Sequence, residues 1–189
     1  MAGPTSFGYQ NLGFGAGVAA SAGSLQLIET KTVSGTPSTL SFDSIQESTY
    51  NVHFMTITNN KPQTDDRHLA LRFKTGGSTD SGSNYKFAMQ RNNTGSSEVN
   101  SNSDSKIWLA YNVGLDREGL NGYFYIYNAG DSAKYTFVTS HNVHYGVGID
   151  SNFQSGVYNT ANVVNGIEFS TSGDPLEHGT FSLYGIAES

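Results

Sequence analysis

The acidic residues are the first candidates for chemistry in this chain of 189 residues. A glycosidase needs two opposed carboxyl groups, roughly 5–10 Å apart, in a cleft. Most Asp and Glu residues here lie in Gly-, Ser- and Asn-rich stretches, where Asp typically binds turn backbone. Glu168 is the exception, because it alternates with Ile167 and Phe169 and is predicted on the outward, solvated face of a strand. The sequence indicates no partner carboxylate for it and therefore predicts no enzyme.

Histidines form the second set of candidates. His141 and His144 are three residues apart, so on a strand they point to opposite faces and would chelate a metal ion only if the chain turned there. The Asp-Asp-Arg-His cluster at 65–68 offers oxygen ligands for Ca²⁺, but an ion pair between Asp66 and Arg67 is the favoured interpretation. The chain has no cysteine and no HExxH, GxSxG or P-loop motif. We expect no metal, no cofactor and no catalytic residue.

Charge and hydropathy limit the possible partners. The formal net charge is −6, the pI is near 5.2 and only 14% of residues are charged. This balance argues against binding nucleic acid through its phosphates and against binding an anionic membrane surface. No apolar run approaches the 18 residues of a membrane-spanning helix. The opening MAGPTSFGYQ has neither the basic nor the apolar region of a secretory signal.

The elements that must position any site are predicted to be strands. The chain has 22 Gly, 11 Tyr and 11 Phe, a composition typical of strands joined by turns. Apolar residues alternate most clearly at 69–73 and 85–89. We expect nine or ten strands and no helix, forming an all-β fold. The favoured architecture is an antiparallel two-sheet β-sandwich of the jelly-roll type.

Three other stretches lack one continuous strand alternation. The stretch 92–105 has almost no apolar residue and is predicted to be a long surface loop. The Gly- and Asn-rich stretch 145–162 is left unassigned. In the strand that starts near Tyr50, the apolar phase changes at Met55, which suggests a bulge or a move between sheet faces.

The last strand, 179–186, is predicted to close the core. Phe181 and Leu183 point one way, whereas Thr180, Ser182 and Tyr184 point the other. Such a strand needs a partner, because its apolar face would otherwise stay in water. We expect its outward side, with Tyr184, to meet a neighbouring subunit.

The first 23 residues differ from the rest and divide the chain into an arm, 1–23, and a sandwich domain, 24–189. The arm is Gly-rich, and its aromatic and leucine residues are Phe7, Tyr9, Leu12 and Phe14. It cannot bury enough surface to fold alone. A flexible tail is one interpretation; the favoured one is an extended arm whose four apolar side chains dock on a neighbouring subunit.

Outward aromatic residues are the remaining candidates for binding. Trp108 is out of phase with Ile107 and Leu109, so we expect it to face away from the core. At 123–127 both faces of the strand are apolar or aromatic, which predicts a central strand covered on both sides, with another subunit as one possible cover. Outward rings can stack on sugars or anchor a protein interface. The predicted interface residues are Phe7, Tyr9, Leu12, Phe14, Trp108 and Tyr184.

Several stretches together resemble a group of small structural proteins of tailed bacteriophages, especially marine ones. They are STYNVHF at 48–54, DDR at 65–67 before LALRF at 69–73, GSNY at 82–85, NGIEF at 165–169 and GTFSLYG at 179–185. The resemblance implies a jelly-roll-like sandwich made in the bacterial cytoplasm and assembled on the virion, as a capsid decoration protein or a tail or fibre component. It also implies a homotrimer that contacts a major capsid or tail protein. The matching stretches mark fold positions, so no site residue is carried over.

Three functions are therefore open, in this order. The first is a non-enzymatic virion structural protein that decorates or cements the capsid, or is attached to the tail, through contacts with itself and the shell. The alternative is a β-sandwich module of a tail fibre or spike that binds a host surface glycan through outward rings such as Trp108. The least favoured is a polysaccharide-degrading enzyme.

Overall fold

The computed structural model describes residues 25–115, 118–146 and 148–187, and these residues form strands joined by turns and loops. No described segment is a helix long and apolar enough to cross a membrane. The strands are β1 (Leu25–Thr32), β2 (Thr39–Phe42), β3 (Val52–Pro62), β4 (Arg67–Thr75), β5 (Ser78–Thr79), β6 (Tyr85–Asn92), β7 (Ser97–Asp104), β8 (Ile107–Val113), β9 (Leu120–Tyr127), β10 (Thr136–Tyr145), β11 (Ile149–Tyr158), β12 (Gly166–Thr171) and β13 (Leu176–Ile186).

The strands form two antiparallel sheets, which confirms the predicted all-β sandwich. The large sheet has the order β1-β13-β3-β9-β10-β11-β6-β7. The small sheet has the order β2-β12-β4-β5, with β8 also paired to β4. From β1 to β4 the chain changes sheet with every strand, as in the predicted jelly roll, whereas β9, β10 and β11 are consecutive neighbours within the large sheet.

The core lies between the sheets, where the inward residues of both alternate with outward ones. Its centre is a cluster of phenylalanines in which the Phe169 ring on β12 contacts a ring on each of three other strands. The centroid distances are 4.8 Å to Phe181 on β13, 5.9 Å to Phe124 on β9 and 6.3 Å to Phe42 on β2. All four side chains are buried, and burying each ring contributes roughly 1.5–3 kcal/mol.

The last strand behaves as its alternation predicts. Phe181 and Leu183 are fully buried, whereas Ser182 and Tyr184 are partly exposed on the other face. Strand β13 pairs with β1 on one side and β3 on the other. It is therefore inside the large sheet, one position from the edge.

Two segments differ from their predicted structure. The stretch 92–105 is largely a strand, β7, rather than a long surface loop. It forms one edge of the large sheet, where Val99 alone packs against the core, and an edge strand this polar carries no apolar alternation to detect. The unassigned stretch 145–162 contains β11. These additions raise the number of strands in the described residues to thirteen, above the nine or ten expected.

The change of apolar phase at Met55 is not a bulge. Strand β3 pairs with β9 without interruption from Val52 to Ile57, and the irregularity follows between Ile57 and Asn60. Met55 and Ile57 face the core, while Val52 and Phe54 lie on the opposite face. The phase changes because this strand carries apolar residues on both faces.

Candidate binding face of the large sheet

Strand β9 crosses the middle of the large sheet and points three tyrosines away from the core. Tyr123, Tyr125 and Tyr127 alternate with the buried Phe124 and Ile126, as the period of two requires. Strands β3 and β10 flank β9, which confirms the central position predicted for this strand. The predicted cover on its second face is not supplied by the described residues, because Tyr123 remains 43% exposed.

Neighbouring strands extend this row of tyrosines into a continuous surface. The Phe54 ring on β3 lies 4.9 Å from Tyr125, 5.9 Å from Tyr123 and 6.1 Å from Tyr184 on β13. Leu27 on β1 is directly opposite Tyr184 and is 60% exposed. We call this outer surface the aromatic half. Its residues are Leu25, Leu27, Phe54, Tyr123, Tyr125, Tyr127 and Tyr184.

A stacked pair of rings marks the boundary of the aromatic half. His141 on β10 lies opposite Tyr123 on β9 and opposite Phe153 on β11. The His141 and Phe153 rings are parallel, with centroids 4.2 Å apart and planes 8° apart. The His141 Nε2 atom is also 3.2 Å from the Ser151 hydroxyl oxygen. These contacts hold both rings upright on the sheet.

Beyond Phe153 the outer face becomes concave. An open groove of about 490 Å³ runs over β11, β6 and β7. We call it the polar groove. Its outward lining residues are Ala88, Gln90, Glu98, Asn100, Phe153 and Ser155. A second depression of about 290 Å³ shares Ala88 and Ser155 and continues the groove towards Phe137 and Lys86.

The strands under the polar groove are held by polar contacts from their inner face. Three side chains of β10 and β11 donate hydrogen bonds to backbone carbonyls of β8: Asn142 to Leu109 (2.8 Å), His144 to Tyr111 (2.7 Å) and Gln154 to Trp108. Asn152 also donates to the Asn142 side chain at 2.9 Å. Buried polar groups need such partners, so these contacts fix the large sheet against β8.

A buried ion pair lies at the end of this polar layer. Arg91 on β6 donates to the Asp150 carboxylate on β11, with Nε 3.1 Å from Oδ2. The two side chains are only 12% and 6% exposed. Burial lowers the pKa of the neighbouring His144, although the Asp150 charge acts in the opposite direction. The arrangement holds the Arg91–Asp150 pair away from water, so these two charges do not lie on the outer face of the sheet.

Two more histidines are held neutral by burial. His53 is fully buried, and its Nε2–H donates to the Ile45 carbonyl at 2.8 Å. The Nδ1 atom of His68 accepts the Asn112 backbone N–H at 3.1 Å. Burial is the main cause that lowers the pKa of each imidazole. Both side chains serve as hydrogen-bonding parts of the fold.

The charged residues singled out in the sequence have structural contacts. Arg67 pairs with Asp174, with Nε 2.7 Å from Oδ2, and not with Asp66 as predicted; a partner 107 residues away cannot be read from local sequence. Glu168 accepts a hydrogen bond from the Thr79 hydroxyl at 3.0 Å and lies 3.8 Å from Arg72, so it is not the solvated residue expected. Among the described residues, no three His, Asp or Glu side chains form a group that could hold a metal ion.

The predicted interface residues fall in different places. Tyr184 lies in the aromatic half. Trp108 is on β8 of the small sheet, partly buried, with the Lys106 Nζ atom 4.5 Å above its ring and the His68 ring 5.5 Å away. These two residues therefore do not share a surface. The arm residues Phe7, Tyr9, Leu12 and Phe14 lie outside the described residues, so their docking stays a prediction.

Sequence reasoning missed most of the candidate face. The rings of Phe54, His141 and Phe153 and the polar residues of the groove were not predicted to lie together. The available signal was the apolar content of both faces of β3 and β9, which indicates an outer surface as well as a core. The groove depends on the pairing of β6 with β11 on one side and with β7 on the other, and the sequence predicts a loop where β7 lies.

No protein-family model and no curated protein matches this chain. Among solved structures, the CBM2 module of an evolved Dit of phage J-1 from Lactobacillus casei BL23 aligns at 11% identity, over 80% of this chain and 70% of that one. The TM-score is 0.26, which is too low to support a conclusion about fold or function.

Proposed function

We propose that this chain is a non-enzymatic structural protein of a tailed-phage virion that attaches through the aromatic half to copies of itself and to a capsid or tail protein. The assignment to a virion is supported by the sequence resemblance described above. The observation that supports attachment is the exposed aromatic half itself. Its rings and leucines lie on four adjacent strands, and Leu25 and Leu27 are 51% and 60% exposed.

The aromatic half is a contiguous apolar surface whose rings are held in place by one another. Soluble monomers rarely expose contiguous apolar surfaces of this kind, and such surfaces mark interaction sites. Tyrosine is enriched in interfaces because its ring is apolar while its hydroxyl stays hydrated. The mutual contacts of Phe54, Tyr123, Tyr125 and Tyr184 order these rings before binding. Association then costs little side-chain entropy.

The adjacent sheet edge favours contact through the face rather than through strand addition. Strand β1 has an irregularity between Leu27 and Glu29, and Glu29 pairs with Lys31 at 3.3 Å. Bulges and charges on an edge strand oppose pairing with another chain. A second copy is therefore expected to pack on the aromatic half.

Sedimentation of the full chain tests the proposal. We expect the wild type to form a discrete oligomer, which the resemblance implies is a trimer. The double variant Leu27→Ser/Tyr123→Ser should raise the dissociation constant of this oligomer at least about tenfold, because two apolar contacts are lost. The matched control is Tyr135→Ser/Val163→Ser, which removes two similarly exposed apolar side chains elsewhere. Circular dichroism checks that all proteins are folded.

A monomeric wild type, or a control that dissociates as readily as the first variant, contradicts the assignment of the aromatic half. The virion assignment has its own test, which is mass spectrometry of purified particles of the phage that encodes the chain. Particles that lack the chain contradict it. Binding of glycans through Trp108 stays a prediction, to be checked with Trp108→Ala.

A further inference from the structure

The polar groove is built differently from the aromatic half beside it. Ala88 and Ser155 are cross-strand partners on β6 and β11, and both are small. Phe153 and Phe137 rise from the outer face at either end of this pair. Small side chains between large ones make the surface concave. The volume of about 490 Å³ is within the range of small-molecule sites, roughly 300–1,000 Å³.

Phe153 presents one free ring face to this groove. Its other face stacks on His141, which lies on β10, the neighbour of β11 away from β6. The face directed towards β6 is therefore open, and the side chain is 50% exposed. The face of an aromatic ring carries negative charge density and attracts C–H groups of slightly positive character. The apolar face of a pyranose ring presents such C–H groups.

Polar side chains lie opposite this ring. Gln90 is the cross-strand partner of Phe153, and Glu98 is the partner of Gln90. Asn100 lies beside Ala88 in the next row. Within the described part of the chain, the side chains of Gln90, Glu98 and Asn100 are exposed and have no hydrogen-bond partner. Together they offer amide donors, amide acceptors and a carboxylate acceptor, which is the set that recognises vicinal hydroxyl groups.

We propose that the polar groove binds a neutral oligosaccharide, with one sugar ring stacked on Phe153 and its hydroxyl groups hydrogen-bonded to Gln90, Glu98 and Asn100. This goes beyond the assembly role of the aromatic half, because the two surfaces lie on opposite sides of the His141–Phe153 pair. Phe137 is four residues before His141 on β10 and opposite Val157, so the groove extends about 13 Å along the strands. That length exceeds a single hexose.

Charge selects among possible ligands. The groove carries Glu98 at one end and Lys86 at the other, and the whole chain has a net charge of −6. A nucleic acid or an acidic polysaccharide would bring its charges against Glu98 and against this net charge. A neutral saccharide meets no such repulsion.

The experiment uses the full chain on an array of neutral oligosaccharides of glucose, galactose, mannose and N-acetylhexosamines, followed by titration calorimetry of the best ligand. We expect Phe153→Ala to weaken binding at least about tenfold and Gln90→Ala to weaken it roughly 3- to 10-fold. The matched control is Tyr145→Ala, which removes an equally exposed ring, 52% against 50%, from the far end of β10. It should bind as the wild type does.

Sedimentation of the same variants separates the two proposals. Phe153→Ala should keep the oligomeric state of the wild type while losing the saccharide. No binding by the wild type to any neutral oligosaccharide at millimolar concentration overturns the groove assignment. So does binding that survives Phe153→Ala, or a Phe153→Ala variant that dissociates, which would make the groove part of a protein interface.

Discussion

Replacing His53 by Gln should make the protein less sensitive to mild acid. His53 is buried between the sheets, and its Nε2–H donates to the Ile45 carbonyl. Its Nδ1 atom is buried and has no hydrogen-bond partner among the described residues. A proton added there would place a charge in an apolar environment, so burial lowers the pKa of this imidazole, although the Ile45 carbonyl and the Glu47 charge act in the opposite direction. Glutamine retains an N–H donor for Ile45 and does not titrate.

The magnitude follows from proton linkage. Above the unfolded-state pKa of about 6.5, His53 is neutral in both the folded and the unfolded chain, so it adds no pH dependence to the free energy of unfolding. As the pH falls below 6.5 the unfolded chain binds a proton that the folded protein excludes, so the free energy of unfolding decreases by about 1.4 kcal/mol per pH unit, until the folded-state pKa is reached. When the pH falls from 7.5 to 5.5, the free energy of unfolding of the wild type should therefore decrease by up to about 1.4 kcal/mol more than that of His53→Gln.

Urea unfolding at pH 7.5, 6.5 and 5.5 measures this difference. The control is His178→Gln, which makes the same substitution at an exposed position on β13. Both variants carry the same carboxylates as the wild type, so acid titration of Asp and Glu cancels in the comparison. If His53→Gln loses as much stability as the wild type over this interval, the neutral state assigned to His53 is wrong.

Two further predictions concern single contacts in the fold. Tyr85→Phe should lower the free energy of unfolding by about 1–3 kcal/mol, because the buried hydroxyl accepts the Phe73 N–H at 3.0 Å and donates to the Asp80 carbonyl at 2.9 Å; an unchanged urea midpoint would show that these bonds contribute nothing. Gly185→Val should cost roughly 1–3 kcal/mol, since a Cβ there overlaps the Tyr50 ring. Adding Tyr50→Ala to Gly185→Val should recover part of the lost free energy of unfolding. If the losses caused by the two single changes simply add in the double variant, the contact between position 185 and Tyr50 is not the cause.

The parts of the fold that could be predicted are those where one face of a strand is buried and the other is not. In β6, Tyr85, Phe87 and Met89 are buried while Ala88 and Gln90 are exposed, so the alternation in the sequence reports the core directly. Strand β7 could not be found in this way, because its neighbours bury almost none of its side chains. Strand β3 was found, but its apolar outer face was interpreted as a change of phase.

The candidate site could be predicted only in part, for a related reason. Tyr184 was placed outward correctly, because its own strand specifies the direction of its side chain. The side chains beside it on the surface, such as those of Phe54 and Tyr125, belong to residues more than 50 positions away in the sequence. Which strands lie side by side depends on pairing between distant segments, and local periodicity does not specify that pairing.

The buried polar layer under β10 and β11 explains how the outer face keeps its arrangement. If the inner face of β10 and β11 were apolar, it would pack almost as well after the strand register shifted by two residues. A register shift of one residue in β11 would turn Phe153 and Ser155 inward. Asn142 and Gln154 instead donate to particular carbonyls of β8, and a slip in either direction would leave these buried amides without partners, at about 1–3 kcal/mol each. The polar layer therefore specifies the register of the strands that carry the stacked rings and the polar groove, at the expense of some apolar packing between the sheets.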